Sequence, residues 1–361
     1  MDLQTKIQDL LNELVASTQE HGLQVVVYHK GACVVDAFAG YMEAGHKSPV
    51  TSETLFPVFS CSKGITSTIL HRLAERGLVD YETPIAEYWP GFSANGKGNI
   101  RVRHALTHTA GLWAMPETAD LKMAADWDAA CDYIAGMPAK HAPGERTEYH
   151  AITFGWLVGN IACLVSGLSF RELVAKEICE PLDIRNLYIG MPESERPRVA
   201  TLYEDIHEDA FDPPHDAQLE AIPMYVRPLH AMMNRPEMQA ASIPATSGVM
   251  TAKALAKHYA SLLPGGVDGV QLLPDSRIKL ATERPDFPHL IGIPAPFSLG
   301  YGTREEWNQP GKARTFSHGG YGGSLGMADP NRKLAVALTK NYLNRGDNSE
   351  RILSLIRNHF S

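Results

Sequence analysis

The chain has 361 residues, 44% apolar and 20% charged, the proportions of an ordinary folded protein and not of a disordered tail or a membrane bundle. A formal net charge of −8 with no basic block argues against nucleic acid or an anionic membrane surface as a partner. No apolar run approaches the ~18 residues needed to span a bilayer. The opening MDLQTKIQDLLNELVA sets acids among its apolar positions and has neither the basic nor the apolar region of a secretory leader. Five cysteines (Cys33, Cys61, Cys131, Cys163, Cys179) form an odd set without paired spacing, which fits a reducing, cytoplasmic setting.

Leu3, Ile7, Leu10, Leu11 and Leu14 fall on one helical face and predict an amphipathic first helix. Gln24–Tyr28 and Cys33–Ala39 are β-rich runs joined by His29-Lys30-Gly31, the pattern of a hairpin. The extended run Leu55–Phe59 then delivers Ser60. A helical pattern follows with Ile65, Ile69 and Leu73 four apart, closing near Gly77. Ile100–Arg103 leads into His104–Leu112, which reads as a short helix stopped by Gly111.

From about Thr118 to Ser261 the periodicity is mostly helical, with Ile152–Val165 the strongest stretch and Phe211–Pro228 a long irregular one. Loops of that length in a compact protein usually serve a site, so 203–236 is expected to shape a pocket. Short strands return at Leu299–Thr303, Arg314–Ser317, Ser324–Ala328 and Leu334–Thr339. A last helix carries Ile352, Leu353, Ile356 and Phe360 on one side. Strands at both ends and helices between them predict an α+β fold. One antiparallel sheet is built from both chain ends and covered by the terminal helices, with a mostly helical lobe inserted. The division is placed at 1–85 with 295–361 against 86–294, with the active site in the cleft between.

Ser60 at the first turn of its helix has Lys63 three residues on and on the same face, so the amine reaches the hydroxyl. A serine with its own base beside it is how a weak alcohol becomes a nucleophile. Ser-x-x-Lys alone is weak, since roughly one chance match is expected in such a chain; a second one stands at Ser276–Lys279, where Pro274 and Asp275 mark the start of an exposed helix capped by Asp275 or Ser276. Two further stretches support the first. Pro143–Tyr149 is a turn that delivers Tyr149 just ahead of the helix near Ile152. Phe316–Gly323 is a strand ending in His318, Gly319, Gly320, Tyr321 and two more glycines.

In this order and spacing the three stretches resemble the serine β-lactamase and penicillin-binding-protein superfamily, closest to family VIII carboxylesterases and class C β-lactamases. The phrases VRHALTHTAGL, IPATSGVMTAKALAKHY and HGGYGGSLGMADP extend the resemblance over most of the chain. It implies that Ser60 is the acylated nucleophile, Lys63 the amine that helps deprotonate it, and Tyr149 the general acid/base. His318, Gly319 and Gly320 would line the substrate, and the backbone N–H groups of Ser60 and Tyr321 would form the oxyanion hole. Two positions depart from the β-lactamase pattern: Ala151 stands where those enzymes have asparagine, and His318 replaces a lysine. Both changes weaken recognition of a β-lactam and leave acyl transfer intact. The expected activity is therefore hydrolysis of small-molecule carboxylic esters, with β-lactamase, D-amino-acid peptidase, acyltransferase or silent scaffold as alternatives. No cofactor and no metal are expected.

Other motifs have simpler readings. Gly322–Gly326 matches G-x-S-x-G around Ser324, but that motif needs a strand–turn–helix setting, and a strand follows here. His104 and His108 are expected four apart on a helix face without an acidic partner, hydrogen-bonding loops near the site. Cys61 has no base three or four residues beyond it and reads as a packing residue.

Overall fold

The first helix, α1 (Leu3–Ala16), starts where Asp2 accepts a hydrogen bond from the Thr5 N–H at 2.8 Å, and it buries Leu3, Ile7, Leu11 and Leu14. The computed structural model describes residues 2–45, 47–116, 120–204, 220–283, 297–308, 312–344 and 347–361. Its strands in chain order are β1 (Gly22–His29), β2 (Ala32–Gly40), β3 (Phe56–Phe59), β4 (Leu187–Ile189), β5 (Tyr203–Glu204), β6 (Gly248–Met250), β7 (Gly302–Thr303), β8 (Phe316–Gly319), β9 (Leu325–Asp329), β10 (Leu334–Lys340) and β11 (Tyr342–Leu343).

Six of them form one antiparallel sheet in the order β2-β1-β10-β9-β8-β7, so strands from both chain ends interleave. β1 pairs with β10 in the register Val26 opposite Ala337. Alternation along the strands feeds two cores. Val25, Val27, Val336 and Leu338 pack with α1 and with Ile352, Leu353 and Ile356 of the last helix (Asn348–His359). Val26, Tyr28 and Ala337 face the other way, toward α2 (Cys61–Glu75) and the Ala252–Ala260 helix. This is the antiparallel sheet with terminal helices that the sequence predicts, and the helical segments of the middle region pack beyond it.

The remaining differences are local. β3, which delivers Ser60, does not join the main sheet; it pairs with β6, and β6 with β4, in a separate three-stranded sheet. The middle region is therefore less uniformly helical than its periodicity implies, because strands of two or three residues are too short to show alternation. The helix expected to run to Gly111 is Val102–Leu106 and ends five residues earlier. His108 then takes φ 59°, a left-handed conformation that no helix continues through. Among the described residues no single helix is long and apolar enough to cross a membrane.

Candidate active site

Ser60 stands where β3 stops. Phe59 adopts φ 46°, and this left-handed turn swings the chain from strand into helix. Such a conformation costs a non-glycine residue about 1–3 kcal/mol, so its surroundings must hold it. Ser62 does much of the holding: its hydroxyl donates to the Phe59 carbonyl at 2.6 Å and accepts from the Gly248 N–H of β6 at 2.9 Å. Ser60 occupies the N-cap position of α2, yet its hydroxyl caps nothing. It faces Lys63 instead.

Among the described residues Lys63 Nζ has three oxygen partners: Ser60 Oγ at 3.0 Å, the Ala151 carbonyl at 2.7 Å and the Ala245 carbonyl at 3.1 Å. The side chain is fully buried, with Nζ 4.8 Å from the centre of the Tyr149 ring. Burial holds its pKa well below the usual lysine range. The amine thus loses its proton far more readily than an exposed one would.

Tyr149 lies in the extended segment before the Thr153–Ser166 helix, its ring stacked on Phe297 at 5.5 Å and against His108 at 4.8 Å. Burial raises its phenol above the ordinary range, opposed by a hydrogen bond with Ser60. Two imidazoles fix this segment. His150 Nε2 accepts from the Leu112 N–H at 3.0 Å, which leaves its proton on Nδ1 to be donated to the Glu148 carbonyl at 2.6 Å. His108 Nδ1 accepts from the His150 N–H at 3.1 Å. Burial lowers His150 to about 3 and His108 well below its usual value, so both are neutral. His108 does bond a loop at the site, as expected. His104 instead accepts from the Arg101 N–H at 2.9 Å and closes its own helix start.

β7 pairs only with Phe316 and Ser317 of β8, so among the described residues His318 and Gly319 lack a strand partner on that side. Burial lowers His318 to about 3, and its Nδ1 lies 2.9 Å from the Gly319 carbonyl. His318 is therefore uncharged near neutral pH. The chain then turns through Gly320-Tyr321-Gly322-Gly323, closed by the Gly323 N–H on the Gly320 carbonyl at 3.2 Å with Gly322 at φ 80°. A Cβ on Gly320 would sit 2.2 Å from the Val58 carbonyl, so only glycine lets this turn press against β3 beside Ser60.

Ser60, Tyr149, Ala151, Gly319 and Tyr321 share one cavity of about 250 Å³ with Phe59, Ile152, Ile222, Leu229, Met232 and Thr246. Among the described residues no lysine, arginine, aspartate or glutamate lines it. Ile222, Leu229 and Met232 come from the segment expected to shape a pocket; residues 205–219 of that segment lie outside the described residues. The sequence reading missed the Ala245 carbonyl. Its only available signal was the phrase Ile243–Gly248, because a backbone acceptor leaves no mark on residue identity.

The competing motifs fall away on geometry. Ser324 is buried in the turn between β8 and β9, a strand–turn–strand setting, and its carbonyl accepts from the Gly320 N–H at 2.7 Å. Ser276 lies in the Asp275–Thr282 helix, whose N-cap is Pro274 and neither Asp275 nor Ser276. Cys61 is fully buried and its thiol is pushed up to about 12, so it serves packing.

A serine and a desolvated lysine one helical turn apart, on this sheet-and-helix frame, define a serine hydrolase of the β-lactamase type. The chain belongs to the Beta-lactamase family, whose model matches residues 7–358. It is 36% identical over 344 residues to Esterase/beta-lactamase LipL of Mycobacterium tuberculosis, covering 89% of this chain and 77% of that protein. The crystal structure of a family VIII carboxylesterase superposes with a TM-score of 0.88 at 29% identity, over 99% of this chain and 98% of that one. A penicillin-binding protein homologue from Caulobacter crescentus gives a TM-score of 0.86 at 30% identity, over 99% and 96%.

Proposed function

We propose that this protein is a carboxylesterase that works through an acyl-enzyme on Ser60. The observation that carries the reading is the Lys63 amine, 3.0 Å from Ser60 Oγ, with two carbonyls as its other oxygen partners. A neutral amine has two N–H groups to give those carbonyls, and its lone pair then faces the serine hydroxyl. As Oγ bonds to the ester carbonyl carbon, Lys63 accepts its proton. The backbone N–H groups of Ser60 and Tyr321 take the developing oxyanion. The bond to the alcohol then breaks; Tyr149 protonates the departing oxygen and is reprotonated from Lys63. Water attacks the acyl-enzyme and yields its proton through the same pair, and Ser60 Oγ leaves with a proton restored. Ester and water become acid and alcohol.

Substrate lies along the edge of His318, Gly319 and Gly320, in a cleft between the lobe formed by 1–85 with 295–361 and the lobe of 86–294. Three features favour an uncharged ester over an anionic β-lactam: an uncharged His318, Ala151 without an amide, and a cavity with no cation among the described residues of its lining. The cavity volume suits a small acyl group. The names of the relatives, an esterase/β-lactamase and a carboxylesterase, agree with this class.

The test is a panel of nitrophenyl esters and cephalosporins on wild type and Ser60→Ala, with a fluorophosphonate probe mapped by mass spectrometry. Turnover of short acyl esters and labelling at Ser60, both lost in Ser60→Ala, are expected. A cephalosporin turned over faster than the esters would replace this reading with a β-lactamase. Turnover unchanged in Ser60→Ala would sink both.

A further inference from the structure

Outside the reacting groups, one buried carboxylate joins two walls of the cavity. Tyr321 Oη donates to Glu204 Oε1, and Glu204 Oε2 lies 2.7 Å from His230 Nδ1. The Glu204 side chain is only 8% exposed, and both its oxygens are engaged. A carboxylate so removed from water is costly to bury unless hydrogen-bonded, and here the hydrogen bonds connect separate elements. Glu204 ends β5, which pairs in parallel with β11 so that Leu343 lies opposite Glu204. A Cβ on Gly322 would come within 2.2 Å of Leu343, so β11 presses on the turn that carries Tyr321. On the turn's other side the Tyr321 ring meets the edge of Phe59 at 5.6 Å, next to Ser60. His230 belongs to the Leu229–Met233 helix, which gives Leu229 and Met232 to the cavity.

We propose that Glu204 and His230 are positioning residues for ester hydrolysis. They hold the phenol of Tyr321, and through it the turn whose N–H receives the oxyanion, and they tie that turn to the helix that walls the acyl pocket. The inference rests on the esterase reading. Its physical basis is that an oxyanion donor works only when fixed within a few tenths of an ångström, and a turn containing three glycines does not stiffen itself.

The experiment measures kcat, KM and inhibition by a boronic acid, a stable mimic of the tetrahedral anion, for Tyr321→Phe, Glu204→Ala, Glu204→Gln, His230→Gln and the double variant Tyr321→Phe/Glu204→Ala. Tyr321→Phe and Glu204→Ala are each expected to lower kcat roughly 10- to 100-fold with KM little changed, and to weaken the boronate by a similar factor. Glu204→Gln, which still accepts from the phenol, recovers most of the rate, and His230→Gln loses less than Glu204→Ala. The double variant should be no worse than the poorer single, because both remove one link. Single variants within about twofold of wild type in kcat and boronate affinity would overturn the proposal, as would losses that multiply in the double. Should Glu204→Ala not fold, Tyr321→Phe, which removes one oxygen atom, decides together with Glu204→Gln. The two readings fail separately: labelling of wild-type Ser60 reports on the esterase, the variants' kcat on the tether.

Discussion

At the scale of single residues, the proposed chemistry turns on which protonation state of Lys63 shares the site with Ser60. A charged ammonium would point its third N–H at Ser60 Oγ and have no lone pair for the serine proton. Burial removes the water that would stabilise that charge, and among the described residues no carboxylate hydrogen-bonds it to replace that water. Because the folded pKa lies below the ordinary 10.5, the neutral amine that the proposed mechanism needs is present above that lowered pKa and is lost as pH falls through it. The kcat/KM for an uncharged ester is therefore expected to rise through one ionisation below the ordinary lysine value and then level off. Tyr149, raised above its ordinary value, adds no falling limb until still higher pH. Lys63→Arg, with a charge that cannot be removed, should lose about 10²–10⁴-fold in kcat and the rising limb with it. A pH–rate profile that falls from neutrality upward would show that the charged form is the active one.

At the scale of elements, the parts legible in the sequence are those fixed by local periodicity. The spacing of Ser60 and Lys63 gives their contact directly, because one helical turn is a local geometry. The approach of Ala245 to Lys63 is not legible; it depends on how closely two elements pack. α2 shows the same limit. Its Ile65, Ile69 and Leu73 mark one apolar stripe, yet Ser62, Thr66, Ser67 and Thr68 are buried as well. Their hydroxyls reach outside the helix, Thr66 to the Pro244 carbonyl at 2.7 Å and Ser67 to the Gly300 carbonyl at 3.1 Å. These polar side chains bolt the helix to its neighbours. Gly155 does the same by omission: a Cβ there would lie 2.6 Å from the Ala245 nitrogen, so the Thr153–Ser166 helix sits directly on the segment that supplies a carbonyl to Lys63. Gly155→Ala is expected to push that segment away, at a cost of about 1–3 kcal/mol in stability. Activity should fall beyond what the unfolded fraction explains, since the lysine loses an acceptor. Activity per folded molecule equal to wild type, with folding followed by circular dichroism, would show that Lys63 tolerates the shift.

At the scale of the molecule, one sheet gathers residues from both chain ends: β1 and β2 from the first forty residues, β7 to β10 from the last sixty. The site inherits this arrangement, since Ser60 belongs to the N-terminal part and the His318–Tyr321 turn to the C-terminal part. A buried ion pair pins the two ends. Lys340, at the end of β10, donates to Glu20, just after α1, at 2.5 Å, with side-chain exposures of 2% and 0%. Asn348, first residue of the last helix, donates to the same carboxylate at 3.0 Å. Burial lowers the pKa of Lys340, and the Glu20 carboxylate opposes that shift. Removing the carboxylate leaves an amine with little compensation in dry surroundings. Glu20→Ala should therefore cost about 3–5 kcal/mol, seen as a lower midpoint of thermal unfolding, while kcat per folded molecule stays near wild type. Replacing both partners by apolar side chains, Glu20→Leu with Lys340→Met, should recover much of that loss, because the amine that needed a partner is gone. A double variant no more stable than Glu20→Ala would mean that the bond from Asn348 to Glu20, and not the ion pair, holds the chain ends together.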